Sequence, residues 1–183
     1  MRIISGIKKG CKLIEFMGED IRPTTDRVKE SVFNLIQEYI SEARVLDLFA
    51  GSGALCFEAV SRGAKSGVCT DINSESVKVI MKNREKLGFE DLVRVKNIDA
   101  ERFLKDTEDK FDIIFMDPPY NKGFIIPAIK LIVDRDILSD DGIIVVESDS
   151  PDDISDIEGV TVVKQRRYGR TNVTVFTKDD LEA

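Results

Sequence analysis

Asp117-Pro118-Pro119-Tyr120 is the stretch of this sequence whose residue types and order could do chemistry, and it closes the apolar run "FDIIFMD" at 111–117. Proline has no N–H and a fixed φ, and it holds the residue before it extended. The backbone from Asp117 to Tyr120 is therefore stiff, and its carbonyls have few donors beside them. The Asp117 carboxylate and the Pro118 carbonyl can take both hydrogens of an exocyclic –NH2 group. Bonding both draws the nitrogen toward tetrahedral geometry and localises its lone pair, which makes it a nucleophile. The ring of Tyr120 offers a face on which the base carrying that amine can stack, worth ~1–3 kcal/mol. The bland alternative is a rigid proline turn with no ligand. Histidine is absent altogether, which excludes a Ser-His-Asp triad, a Cys-His pair and a His-ligated metal site.

Three other short stretches add to this one. "VLDLFAGSGAL" puts Asp47 inside an apolar run and Ala50-Gly51-Ser52-Gly53 in the turn that follows. Glycines there let backbone approach a ligand beside the positive end of a helix. A dinucleotide fingerprint would need a third glycine where Cys56 stands, and the acid Asp47 disfavours a pyrophosphate; a cationic ligand fits better. "VCTDIN" ends in Asp71 and Ile72, with Asp71 twenty residues beyond Gly51. An acid at this spacing accepts the two hydroxyls of an adenosine ribose. It can equally cap the next helix, although Asn73 or Ser74 can do that instead. Asp99-Ala100 either meets an adenine amino group or caps the helix "AERFLKD".

These residues need a frame to bring them together. The apolar runs 44–49, 66–72, 93–98, 111–117 and 142–148 read as strands, and 53–63, 74–87 and 123–135 as helices. Near-continuous Val/Ile/Leu/Phe runs are what a parallel sheet covered on both faces requires. "VTVVKQRRY" and "TNVTVFTK", separated only by Gly169-Arg170, predict a closing antiparallel hairpin. The expected architecture is a doubly wound α/β sheet with an antiparallel edge, and all four motifs then fall at the C-terminal ends of its strands, on one crevice. Ahead of it, residues 1–16 read as a short hairpin. "RPTTDRVKESVFNLIQEYI" reads as a helix capped by Thr25 or Asp26.

The chain has 183 residues, 42% of them hydrophobic, enough for one well-filled domain. No apolar run approaches the ~20 residues of a membrane span, and the start "MRIISGIKKG" has no apolar signal region. The three cysteines, Cys11, Cys56 and Cys69, are scattered; reduced thiols in a cytoplasm are expected. Net charge is −7, which by itself speaks against nucleic acid. Its distribution qualifies this. Residues 1–14 carry Arg2, Lys8, Lys9 and Lys12 with no acid, and "KQRRYGR" at 164–170 has four cations and no acid. Both are also compatible with solvated strand edges.

"DLFAGSGA", "DIN" and "DPPY" together resemble the signature of class I S-adenosylmethionine-dependent amino-methyltransferases. With "MRIISGIKKGCKL", "RPTTDRVKESVFN" and "LDLFAGSGALCFEAVSRGA", the chain resembles the bacterial 16S ribosomal RNA guanine-N2 methyltransferase family nearly end to end. The resemblance implies a seven-stranded Rossmann-like sheet with its last strand reversed, in one methyltransferase domain over 1–183. Residues 1–40 would form an RNA-contacting hairpin and helix, and 41–183 the catalytic core. It implies S-adenosylmethionine as methyl donor and no metal. The partner would be 16S rRNA or a small-subunit assembly particle, and the protein a cytoplasmic monomer. On this basis Asp117, Pro118, Pro119 and Tyr120 are the catalytic candidates. Asp47, Ala50, Gly51, Ser52 and Gly53 would meet the methionine end of the donor, and Asp71, Ile72, Asp99 and Ala100 its adenosine. Arg2, Lys8, Lys9 and Lys12 would contact RNA from beside the crevice, and Arg22 and Arg27 either touch RNA or close over the cofactor. Other readings are a DNA adenine-N6 methyltransferase, for whose target-recognition domain 183 residues leave no room, and a protein or small-molecule methyltransferase, which would not need the basic stretches.

Overall fold

A computed structural model describes residues 1–15, 26–119, 123–149, 154 and 156–179. Helix α1 (Asp26–Leu35) and a 3-10 turn (Gln37–Tyr39) lead into β1 (Arg44–Asp47), α2 (Ala54–Ser61), β2 (Ser66–Asp71), α3 (Ser74–Leu87), β3 (Val93–Asn97), α4 (Ala100–Asp106), β4 (Phe111–Met116), α5 (Ile125–Asp134), β5 (Leu138–Ser148), β6 (Val160–Tyr168) and β7 (Thr171–Lys178). The seven strands form one sheet in the order β3-β2-β1-β4-β5-β7-β6. The first five are parallel, and β7 is antiparallel to both β5 and β6. The chain reverses its direction of travel across the sheet between β1 and β4, and the crevice at that switch point is where an open α/β sheet binds ligands.

Side chains alternate across each strand, which divides the interior into two cores. Val45, Ile113, Phe115, Ile143 and Val145 face Val32 and Phe33 of α1, Phe57 of α2 and Ile80 of α3. Leu46, Ile114, Met116, Ile144 and Val146 face Phe103 of α4 and Ile129 and Ile132 of α5. Helix boundaries follow local chemistry. Asn73 caps α3 by accepting from the N–H groups of Glu75 and Ser76, and Gly88, at φ +67°, ends it, the left-handed stop that glycine permits. Strand β5 begins at Leu138, before the expected 142, because Ile137 and Leu138 are buried and Leu138 pairs with Phe111.

The N-terminal segment departs from a regular hairpin. Its only residue pair with ladder geometry among the described residues is the antiparallel bridge Arg2–Lys12. Backbone bonds also cross it, from Ile3 N–H to the Cys11 carbonyl and from Leu13 N–H to the Met1 carbonyl, and side chains of α1 and α2 hold it to the body. The Glu58 carboxylate in α2 accepts from the N–H of Ile4 (2.8 Å) and of Ser5 (3.0 Å), the Ser61 hydroxyl accepts from Lys8 N–H and donates to the Ser5 carbonyl, and Lys29 in α1 donates to the Arg2 carbonyl. Gly6 lies at φ +84° so close to α2 that a Cβ would overlap the Ser61 carbonyl, so only glycine fits there. Ile3 and Leu13 thereby join the core shared with Phe33 and Phe57.

Candidate active site

The strand registers place the acids of the sequence motifs side by side. Asp47, which ends β1, pairs with Phe115 of β4, and Met116 pairs with Val146 of β5. Continuing the alternation by one residue sets Asp117 next to Glu147, on the same face of the sheet as Asp47. Three carboxyl side chains from adjacent strands thus line one side of the crevice. Asp47 is buried, and its Oδ2 accepts from the Cys56 N–H at 3.3 Å. Burial, reinforced by the charges of Asp117 and Asp71 and opposed by the Cys56 hydrogen bond, pushes its pKa up to about 7. Desolvation favours the neutral acid, and a cation beside Asp47 would restore its charge. Pro118 is buried and Pro119 exposed, while Tyr120 lies outside the described residues.

The glycine turn between β1 and α2 is held at three points. Gly51 (φ +56°) donates its N–H to Asp71 Oδ2 at 2.9 Å. Gly53 (φ +78°) donates to the Ala50 carbonyl at 2.6 Å and is the N-cap of α2. The Ser52 carbonyl accepts from Asn83 Nδ2 at 3.0 Å. A Cβ on Gly51 would meet nothing within 4 Å, whereas one on Gly53 would strike the Phe57 ring. The first glycine therefore faces open space, and the second permits close packing.

Asp71 also accepts from the Asn73 N–H at 2.8 Å, and burial, only partly offset by these two N–H groups, raises its pKa. Ile72 beside it is 71% exposed, a bare apolar surface at the crevice mouth. Asn97 at the end of β3 donates to the carbonyls of both Asp71 and Ile72 and so fixes how the pair is presented. Asp99 caps α4 by accepting from the Arg102 N–H at 3.0 Å, and Ala100 packs against the α4–α5 core. Phe49, two residues beyond Asp47, and Phe124 at the start of α5 approach to 5.8 Å between ring centroids. Among the described residues, no group of three or more Cys, Asp or Glu is placed to hold a metal ion.

The basic candidates are more scattered. Arg2 pairs with Asp26 at 3.1 Å, and Lys8 is half-buried, with its ammonium 5.8 Å from the Phe89 ring centroid. Lys9, Lys12 and Arg27 are exposed, and Arg22 lies outside the described residues. The hairpin does not sit wholly beside the crevice, contrary to the expectation from sequence. Its tip rests on Ser61, the last residue of α2, about 12 Å along that helix from the glycine turn. Its base does reach the turn, because the Ile14 backbone bonds Asn83, which bonds Ser52.

Residues 1–177 match the family described as Conserved hypothetical protein 95. The Ribosomal RNA small subunit methyltransferase D of Haemophilus influenzae is 35% identical over 179 residues, 96% of this chain and 93% of that one. The chain belongs to that methyltransferase family. YlbH of Bacillus subtilis, described as a candidate rRNA methyltransferase, is 38% identical over 182 residues, 97% of this chain and 99% of its own. The solved structure of YhhF from Escherichia coli superposes with a TM-score of 0.88 at 32% identity and 97% coverage of both chains. The fold is that of the class I methyltransferases. Reading motifs alone missed Asn83, Asn97 and the buried pair Lys29–Glu58. Two of them had a signal: Asn83 falls in the buried row Ser76-Ile80-Asn83-Leu87 of α3, and Glu58 is the one charge inside "ALCFEAVS".

Proposed function

We propose that the protein transfers a methyl group from S-adenosylmethionine to the exocyclic N2 amine of a guanine in 16S rRNA, free or within a small-subunit assembly particle. The observation that carries the proposal is Asp117 at the end of β4, on the same sheet face as Asp47 and directly ahead of a rigid Pro-Pro pair. The names of the H. influenzae and B. subtilis relatives support an rRNA acceptor. An amine acceptor rests on the resemblance of "DPPY" to amino-methyltransferases, and the guanine N2 on that of "MRIISGIKKGCKL", "RPTTDRVKESVFN" and "LDLFAGSGALCFEAVSRGA" to the guanine-N2 family.

The residues present fit the methyl donor. A buried acid with its pKa near 7 suits the donor's α-ammonium group, and the open space at Gly51 admits its methionine end. The Asp71 carboxylate suits the ribose hydroxyls, while Ile72 and Ala100 supply apolar walls for the adenine. When bound, S-adenosylmethionine supplies a methyl on a sulfonium, which needs no protein nucleophile. The protein's work is then orientation and electrostatics. Asp117 and the Pro118 carbonyl hold the amine by its two hydrogens, and Tyr120 stacks on the flipped base. As the N–C bond forms and the methyl–sulfur bond breaks, the sulfur leaving as a neutral thioether, the amine sheds one proton, for which Asp117 would be the acceptor. Cytosine-C5 chemistry would need a cysteine nucleophile, and none of Cys11, Cys56 and Cys69 belongs to β4 or the turn after it.

The test is mass mapping of modified nucleotides after incubating the purified protein and donor with small subunits from cells lacking it. One N2-methylguanosine should appear in 16S rRNA. Methylation of another base, or of protein alone, would overturn the assignment. Replacing Lys8, Lys9 and Lys12 together by Ala should lower the salt slope of RNA binding by about 2–3, close to one for each phosphate no longer neutralised, with donor affinity unchanged. An unaltered slope would reduce these lysines to a solvated edge.

Asp47 makes a separate prediction. Its folded pKa of about 7 against 3.8 favours folding fully below pH ~3.8. That contribution is lost as pH rises to 7, a swing on the order of 4 kcal/mol. Asp47→Asn should therefore raise the melting temperature of the ligand-free protein most above pH 7 and little near pH 4. Because a cation favours the ionised acid, donor affinity should climb with pH up to about 7, by at most tenfold per unit. Calorimetry from pH 5.5 to 8.5 should show the climb in the wild type and a flatter profile in Asp47→Asn.

A further inference from the structure

Asn83 is fully buried on the inner face of α3, and its amide makes three hydrogen bonds to two segments far from it in sequence. Oδ1 accepts from the Ile14 N–H at 2.7 Å, and Nδ2 donates to the Ile14 carbonyl at 2.9 Å and to the Ser52 carbonyl at 3.0 Å. The side chain thus acts as a strand partner for the base of the N-terminal hairpin and spends its remaining hydrogen on the cofactor turn. A primary amide has two donor hydrogens and an acceptor oxygen, and here all are used. The turn needs such a tie. Gly51 and Gly53 on either side of Ser52 both have positive φ, a conformation in which glycine backbone has wide freedom. The Asp71 bond fixes Gly51 N–H and the Ala50 bond fixes Gly53 N–H. The Asn83 bond fixes the peptide plane between Ser52 and Gly53. Lys86, one turn further along α3, adds a second link to the hairpin by donating to the Lys12 carbonyl at 2.7 Å.

We propose that Asn83 is a positioning residue that links occupancy of the hairpin by RNA to the shape of the methyl-donor turn, so that each ligand tightens the binding of the other. This rests on the reading of the hairpin as an RNA-contacting element. Ordering of Ile14 by bound RNA fixes the Asn83 amide, and the amide fixes the Ser52 carbonyl. The same path runs in reverse when the donor orders the turn, as linkage requires. Asparagine suits this and aspartate does not, because a carboxylate would face the carbonyls of Ile14 and Ser52 with no hydrogen to offer either.

The experiment measures S-adenosylhomocysteine affinity by equilibrium dialysis, with and without saturating small-subunit particles, for the wild type and Asn83→Ala. The wild type should bind the nucleoside at least about fivefold more tightly with particles present, within the usual span of such couplings. In Asn83→Ala the ratio should fall within about twofold of unity. A residue that merely held the fold together would weaken binding in both conditions and leave the ratio intact, which overturns the inference. Should Asn83→Ala not fold, amide hydrogen exchange on the wild type decides. Particles should slow exchange at Gly51–Ala54, and S-adenosylhomocysteine should slow it at Ile14; absence of both effects overturns the inference. A wild type that methylates particles but shows no coupling also overturns it while leaving the proposed function standing, whereas a wild type that neither binds nor methylates them removes the proposed function itself.

Discussion

Asp117→Ala should lower the rate of methyl transfer by ~10²-fold or more while S-adenosylmethionine binds within a few-fold of normal, because the side chain acts on the amine and not on the donor. The structure gives this a particular form. Asp117 stands at the open end of β4, and its charge is one of those that push Asp47 toward the neutral acid. Removing that charge should lower the Asp47 pKa modestly and favour a cationic donor near neutral pH, so donor affinity should hold or rise slightly. Asp117→Asn keeps one carbonyl acceptor and should retain more activity than Ala, though it offers no carboxylate for the proton. Single-turnover rates and calorimetry on both variants check the ordering. Equal losses of rate and of donor affinity in Asp117→Ala would mean that Asp117 is a donor ligand and that the Pro-Pro turn has another purpose.

The parts of the fold legible in the sequence are those in which one residue type can do one thing. Near-continuous apolar runs disclosed β1, β2, β4 and β5, because strands covered on both faces tolerate few polar residues. The Gly169-Arg170 pair disclosed the β6–β7 hairpin. Asp71 and Asp117 stood out because an acid at the end of such a run is costly to place there without a partner. Asp99 was ambiguous in the sequence, and the structure gives it a capping bond to Arg102 N–H while leaving it at the same edge of the sheet. What stayed hidden depends on contacts between segments far apart in the chain. The N-terminal stretch could be read as a short hairpin, and Arg2 and Lys12 do pair, but the way side chains of α1, α2 and α3 bind its backbone to the body could not. No local pattern encodes that. Gly6 is the sharpest case: in the sequence it is one glycine near "KKG", and only the approach to the Ser61 carbonyl shows why it has no side chain.

The largest effect on stability should come from Glu58→Ala, at roughly 3–5 kcal/mol, the scale of breaking a buried ion pair from one side. Lys29 and Glu58 are both fully buried, with Nζ and Oε2 3.2 Å apart. Burial lowers the Lys29 pKa, and Glu58 is the strongest influence raising it again. Without Glu58 the ammonium loses that support and must shed its proton or draw in water. The N–H groups of Ile4 and Ser5, both half-buried, lose their acceptor in the same step, which adds to the cost. The reverse deletion is milder. In Lys29→Met, Glu58 keeps Arg62 at 2.7 Å and both backbone donors, so its charge stays compensated, while the methionine stem fills much of the lysine's volume. That variant should lose only about 1–2 kcal/mol. For a chain of this length, Glu58→Ala should melt roughly 10–15 °C below the wild type and Lys29→Met only a few degrees below it. The hairpin should also exchange its amides fastest in Glu58→Ala, since Ile4 and Ser5 are bonded to the deleted carboxylate itself. Thermal melts of the two variants at pH 7 decide the matter: equal losses, or a larger one for Lys29→Met, would show that the lysine and not the carboxylate is the hub holding the N-terminal segment to α2.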